Sequence, residues 1–173
     1  MAFPEDFSFR LSGGSGNTFV DKSIGGVASV VFAGRDLFSP ATPSLFQVVK
    51  DFRCFYIRND DPSFAVDDLV VYLERELETT TVQIGLGGAV NSTAFLLENV
   101  NSVPPGISFS SPTISSPLSV GSLDANGIMP IWLERTMPAA TDFYQDGVNI
   151  TFSGTGCAGG FAPLAFTSGF SIC

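Results

Sequence analysis

The sequence predicts an all-β chain, a single antiparallel β-sandwich with extended N- and C-terminal arms. Three observations carry this. Helical periodicity does not develop from Ser23 to Phe32, about seven or eight short apolar or alternating runs recur at roughly even spacing along the chain, and clusters of Gly, Pro, Asn, Asp and Ser bound the runs.

Taken in order, Phe7-Ser8-Phe9-Arg10-Leu11 is short and apolar, and Ser12-Gly13-Gly14-Ser15-Gly16-Asn17 has the composition of a flexible linker. The first residues therefore read as an arm. Ser23 to Phe32 returns to β-type composition, with a bulge or close backbone approach expected at Gly25-Gly26. Ser39-Pro40-Ala41-Thr42-Pro43 interrupts the chain, and Leu45-Phe46-Gln47-Val48-Val49 leads into its densest apolar stretch. There Phe52 to Arg58, Leu69 to Leu73 and Thr80 to Leu86 read as three strands of a β-meander, the first two separated by Asn59-Asp60-Asp61-Pro62-Ser63. Glu74-Arg75-Glu76-Leu77-Glu78 holds good helix formers, but Leu69, Val71, Leu73 and Leu77 share a strand face and Val70-Val71 is β-branched.

Further on, Val103-Pro104-Pro105-Gly106 ends any regular element, and Ile107-Ser108-Phe109 alternates as a short strand. Asn126-Gly127 is a strong two-residue hairpin signal that should turn directly into Ile131 to Met137. Val148 to Phe152 alternates cleanly. From Ser153 to Cys173 there is no Asp, Glu, Lys or Arg, while five glycines, a proline and several hydroxyls make the segment a poor membrane span. It reads as an apolar arm. The expected organisation is 1–34 as N-terminal arm and first strand, 35–153 as sandwich, and 154–173 as C-terminal arm.

Composition narrows function mostly by exclusion. The chain of 173 residues has 17 phenylalanines and only 14% charged residues, which implies apolar surface covered by another subunit. A net charge of −9 without a basic cluster argues against nucleic acid as partner. Histidine is absent, which excludes Ser-His-Asp and Cys-His catalysis and removes the commonest nitrogen metal ligand. Cys54, Cys157 and Cys173 lack a CxxC pair, so reduced free thiols are expected rather than a zinc or redox site. The opening residues show neither the basic nor the apolar region of a secretory signal, and assembly in a cytoplasm is expected.

Each constellation that suggests chemistry has a plainer reading beside it. Asp60-Asp61 and Asp67-Asp68 offer hard oxygen ligands for calcium but lack EF-hand spacing; a solvated acidic loop is the alternative. Glu74, Glu76 and Glu78 suggest glycosidase carboxylates, or charges that protect an edge strand. Gly85-Leu86-Gly87-Gly88 falls short of a dinucleotide fingerprint. Asn91-Ser92-Thr93 and Asn149-Ile150-Thr151 match the glycosylation pattern, which matters only for a secreted chain. Trp132 is either a sugar-stacking platform, with the loop aromatics Phe64 and Phe143, or core. Tyr144 is placed to make the corner contact of immunoglobulin-like sandwiches. No catalytic residue, metal or cofactor is expected.

Several phrases occur in a telling order: Leu11-Ser12-Gly13-Gly14, Ser23-Ile24-Gly25-Gly26, Arg53-Cys54-Phe55-Tyr56-Ile57-Arg58-Asn59, Ile84-Gly85-Leu86-Gly87, Pro105-Gly106-Ile107-Ser108-Phe109-Ser110 and Ile131-Trp132-Leu133-Glu134-Arg135-Thr136. Together, over roughly Leu11 to Gly154, they resemble uncharacterised virion structural proteins of tailed bacteriophages. The layout from Tyr56 onward is also similar to adhesion-type immunoglobulin-like domains. The resemblance implies an immunoglobulin-like sandwich without enzymatic activity, present in the virion after assembly in the host cytoplasm. It would bind capsid or tail subunits as a decoration, cement or tail accessory protein, as a homo-oligomer or in many copies. Phe161, Leu164, Phe166, Phe170 and Ile172 are the expected subunit contacts; a carbohydrate- or receptor-binding module using Trp132, Phe64 and Phe143 is the alternative.

Overall fold

Among the described residues there are nine strands: β1 (Phe7–Ser12), β2 (Ala28–Phe32), β3 (Val49–Asn59), β4 (Val66–Leu73), β5 (Thr81–Leu86), β6 (Leu118–Leu123), β7 (Ile128–Met137), β8 (Val148–Gly156) and β9 (Leu164–Ile172). They are seen in a computed structural model that describes residues 7–32, 37–38, 44–74, 80–139, 148–156 and 164–172. One sheet has the order β2-β1-β3-β7-β5 and the other β6-β4-β8-β9, and the strand pairs are antiparallel. With β2 and β6 set aside as added edge strands, β1-β3-β7-β5 facing β4-β8-β9 is the A-B-E-D and C-F-G order of an immunoglobulin constant-type sandwich.

The core between the sheets follows from strand parity. Phe55 and Ile57 of β3, Ile131 and Leu133 of β7 and Ile84 of β5 point inward against Leu69 and Val71 of β4 and Ile150 and Phe152 of β8, all fully buried. Phe9, Phe55 and Phe152 form an aromatic triangle with centroids 5.5–6.3 Å apart.

The other face of the five-stranded sheet is buried too. Phe52, Cys54 and Tyr56 of β3 and Trp132 of β7 lie under Ala94 and Leu97, with Ile24, Ala28, Ile107 and Phe109 packed around them. This explains why Phe52 to Ile57 reads as a nearly continuous apolar run: both faces of the strand are covered. With about 200 Å² of apolar side chain at about 25 cal/mol per Å², burying Trp132 alone contributes about 5 kcal/mol.

Several expectations are corrected. Strands β3, β4 and β5 do not form a meander; β4 crosses to the opposite sheet, because both faces of β3 and β7 need cover and β4 supplies part of it. Asn126 does adopt the left-handed turn conformation (φ 58°) and Gly127 N–H bonds to the Asp124 carbonyl, so the turn is real. It nevertheless carries the chain from β6 in one sheet to β7 in the other, and no hairpin results. Ile107-Ser108-Phe109 is not a strand but a cover segment, joined to β5 by a single bridge between Ile84 and Ser110.

Neither arm is an arm where it is described. Phe7–Ser12 pairs with β3 from Phe7↔Asn59 to Leu11↔Phe55, and Leu164–Ile172 pairs with β8 from Gly156↔Leu164 to Val148↔Ile172. The charge-free C-terminal run thus supplies the last strand of its own sandwich. Uncharged residues with β-type composition complete a ladder at low desolvation cost, which is the physical reason for the outcome.

Candidate functional site

The outer face of the five-stranded sheet carries the most unusual local construction. Ile24 to Val27 runs antiparallel to Ala94 to Leu97 across that face, with Gly26 N–H bonding to the Ala94 carbonyl and Leu97 N–H to the Ile24 carbonyl. Tyr56, rising from β3 beneath them, donates its hydroxyl to the Gly26 carbonyl at 2.5 Å and accepts the Ala94 N–H at 2.9 Å. Ser12 and Ser23 both donate to the Cys54 carbonyl, at 2.9 and 2.6 Å, and fix the start of the segment. Glycine is obligatory at Gly25, which has φ +100° and would place a Cβ 1.8 Å from the Phe95 carbonyl oxygen. Gly85 serves the same purpose at the edge, where a Cβ would meet Ile107 Cγ2 at 2.4 Å.

The result is a rigid layer with two apolar sides. Ala94 and Leu97 face Trp132, while Phe95 (60% exposed), Leu96 (58%) and Val27 (52%) face solvent. Sequence reasoning missed this layer because Asn91 to Gly106 has no strand pattern. The available signal was the apolar run Cys54-Phe55-Tyr56-Ile57 of β3, which places large side chains on both faces of the strand and demanded a second cover.

At one end of the core lies a second cluster that the sequence did not suggest. Arg135 pairs with Asp51 (2.5 Å) and Arg53 with Asp21 (3.2 Å), and the Phe38 ring lies 4.6 Å from the Arg135 guanidinium and 5.5 Å from that of Arg53. Burial holds the Arg53 guanidinium below its ordinary value, against the opposing pull of Asp51 and Asp21. Positive and negative charges are matched in this cluster, which plugs the end of the sandwich.

The residues singled out by sequence are mostly structural where they are described. Trp132 is fully buried, so neither ring face can stack on a sugar. Phe64 is half-buried beside a turn, its carbonyl accepting from Asn59 Nδ2 at 2.7 Å. Phe143, Tyr144 and Phe161 lie outside the described residues, as do Glu76, Glu78, Cys157 and Cys173. Leu164, Phe166, Phe170 and Ile172 all belong to β9 and enter the sheet through its backbone ladder.

Asp60 pairs with Arg58 (2.8 Å) and Arg10 (3.6 Å). Asp61 accepts the N–H groups of Ser63 and Phe64 and so organises the turn. Asp67 and Asp68 fall on a bulge of β4, with Asp68 at φ 52°, and among the described residues no group of acids, cysteines or histidines forms a metal cluster. Asn91 takes a left-handed turn conformation and its side-chain oxygen accepts the Ile128 N–H. Cys54 is free and buried, and burial pushes its thiol up, so the thiolate is disfavoured. Among the described residues no helix is long and apolar enough to cross a membrane.

Fold and site together define an immunoglobulin-type sandwich whose A-B-E-D sheet carries a fixed outer layer. No family model and no curated protein matches the chain. Among solved structures, a family 123 glycoside hydrolase from Clostridium perfringens, described for glycolipid glycan hydrolysis, is similar with a TM-score of 0.27 and 10% identity. The match covers 76% of this chain and 22% of that one, and at that score it carries no argument about activity.

Proposed function

We propose that the chain is a non-enzymatic structural component of a bacteriophage virion, a decoration, cement or tail accessory protein that binds capsid or tail subunits. The reading joins the resemblance of its strand and turn phrases to one structural observation: large apolar side chains stand exposed on a rigid framework. Phe95 and Leu96 do so on the outer layer, and Phe46, 88% exposed, adds apolar surface just ahead of β3. Exposed anchors held in one geometry lose little entropy on docking, which suits a permanent assembly contact. Contact through such side chains replaces contact through arms, since Leu164–Ile172 is engaged within the sandwich. The ionisable cluster supports the same reading, because Asp51 and Arg135 are enclosed and paired with each other and the buried Arg53 is paired with Asp21. The particle is the expected location, after assembly in the host cytoplasm, with many copies in each.

The test is copurification with particles. The tagged chain should remain on purified heads or tails through high-salt washing, because apolar contacts are insensitive to ionic screening. Release by salt, or binding of the isolated chain to glycans without binding to particles, would favour the receptor-binding alternative instead.

A further inference from the structure

We propose that Asn126 is a deamidation site gated by the fold: closed while the turn between β6 and β7 is intact, open once the turn is lost, and one-way in its effect. The proposal does not depend on the virion reading, since it concerns a single peptide unit of the isolated chain. Asn126 is the one asparagine that a glycine follows, and a following glycine leaves the attacking nitrogen unobstructed by any side chain. The turn requires both residues. Asn126 takes a left-handed φ of 58°, which asparagine tolerates better than most residues with a Cβ, and a Cβ on Gly127 would lie 2.7 Å from the Asp124 carbonyl oxygen. The labile pair is therefore fixed by the crossing from one sheet to the other.

The reaction needs only the chain and water. The Gly127 nitrogen bonds to Asn126 Cγ and closes a succinimide, the Cγ–Nδ2 bond breaks, and ammonia leaves with the proton of the Gly127 N–H. Water then opens the ring at one of its two carbonyls, giving aspartate or an isoaspartate whose main chain runs through Cβ. In the folded chain the nitrogen is held away from this path. Gly127 is buried and donates its N–H to the Asp124 carbonyl at 2.8 Å, while its own carbonyl accepts the Asn59 N–H at 2.9 Å. Asn126 N–H reaches the Asp61 carbonyl at 3.0 Å, and the fully buried Asn59 donates Nδ2 to the Asp124 carbonyl at 3.0 Å. Swinging the Gly127 nitrogen towards Cγ breaks the first of these bonds and disturbs the others, although the Asn126 side chain is itself exposed. Conversion then blocks the return. Aspartate can resume the left-handed turn, whereas isoaspartate adds a main-chain atom to a turn whose two ends are fixed by β6 and β7.

Peptide mapping of the full-length chain tests this, with one sample kept folded and one held in guanidinium chloride at the same mildly alkaline pH and temperature. The amide-to-acid mass change at Asn126 should accumulate at least about tenfold faster in the unfolded sample, as expected when reaction must wait for local opening. After the denaturant is removed, chains with isoaspartate at position 126 should not regain the cooperative melt that unconverted chains regain. Asn126→Gly keeps a residue suited to the left-handed turn and has no amide to lose, so it should regain its melt after the same exposure. Equal rates in the two samples overturn the gating, and conversion of other asparagines with none at Asn126 overturns the site. Refolding of the isoaspartate form at the wild-type temperature, or refolding lost by Asn126→Gly after exposure, overturns the one-way step. If Asn126→Gly does not fold even before exposure, the converted and unconverted wild-type fractions decide that step between them.

Discussion

The Tyr56 hydroxyl donates to the Gly26 carbonyl over 2.5 Å and thereby ties the middle of β3 to a segment thirty residues earlier in the chain. Because the same oxygen accepts the Ala94 N–H, one side chain holds both halves of the outer layer. Replacing Tyr56 with Phe leaves a buried carbonyl and a buried N–H without that partner, at a cost of about 1–3 kcal/mol. Denaturant unfolding measures the loss, and hydrogen exchange at Ala94 should accelerate more than exchange in β8. Uniform acceleration across both would contradict the local role.

Alkaline pH should weaken the fold. Burial pushes the Tyr56 hydroxyl up from 10.0 to about 12 and pushes the Cys54 thiol up as well. Both are neutral in the folded state over a range in which the unfolded chain loses protons, so stability falls as pH rises. The contribution is complete below the ordinary thiol value of 9.0 and is progressively lost through and above pH 10. Urea midpoints should be level near neutrality and decline above about pH 9. Tyr56→Phe should flatten the part above pH 10; a midpoint that rises with alkali would refute the assignment.

Gly25→Ala should disrupt the outer layer. Its left-handed φ costs about 1–2 kcal/mol for a residue with a Cβ, and the overlap with the Phe95 carbonyl adds to it, for a total of about 3 kcal/mol. Gly14→Ala is the control: φ is +110° but no atom lies within 4 Å of the new Cβ, so only the conformational part remains. Trp132 is the single tryptophan and lies under the layer, so its emission reports the difference. A red shift is expected in Gly25→Ala and not in Gly14→Ala.

The two ion pairs of neighbouring β3 residues should behave differently. Asp51 and Arg135 are both nearly enclosed, so Asp51→Ala should cost about 3–5 kcal/mol by taking the carboxylate from a buried guanidinium. Lys50 is half exposed where it meets Glu134, and Lys50→Ala should cost less than about 1 kcal/mol. Equal losses in thermal melts would mean that burial does not govern these pairs.

Removal of the residues after Gly156 should abolish cooperative unfolding. The truncated chain loses the ladder from Gly156↔Leu164 to Val148↔Ile172 and leaves β8 as an unprotected edge. Circular dichroism melts would show the loss. A sharp transition at the full-length temperature would return Leu164–Ile172 to the status of an arm.

Strand identity was legible because it rests on local chemistry. Val82, Ile84 and Leu86 alternate with polar or small neighbours, Val148 to Phe152 alternates likewise, and Asn126-Gly127 carries its turn in its own side chains. Candidate sites were less legible. Trp132 as a stacking platform and Trp132 as core have the same local sequence, and only the position of Ala94 and Leu97 above it separates them.

By itself, then, the sequence determined an all-β sandwich with its strongest strands at β3, β7 and β8, and a chain without histidine chemistry. Only the tertiary structure decided that the strands from β3 to β8 alternate between sheets, that the charge-free C-terminal run becomes β9, and that Asn91 to Phe109 folds into a second cover. The physical reason is one of range. Alternation and turn chemistry act over a few residues and can be read directly. Pairings such as Cys54↔Trp132 and Gly26↔Ala94 depend on which distant surface is left to bury, and that is settled only when the whole chain packs.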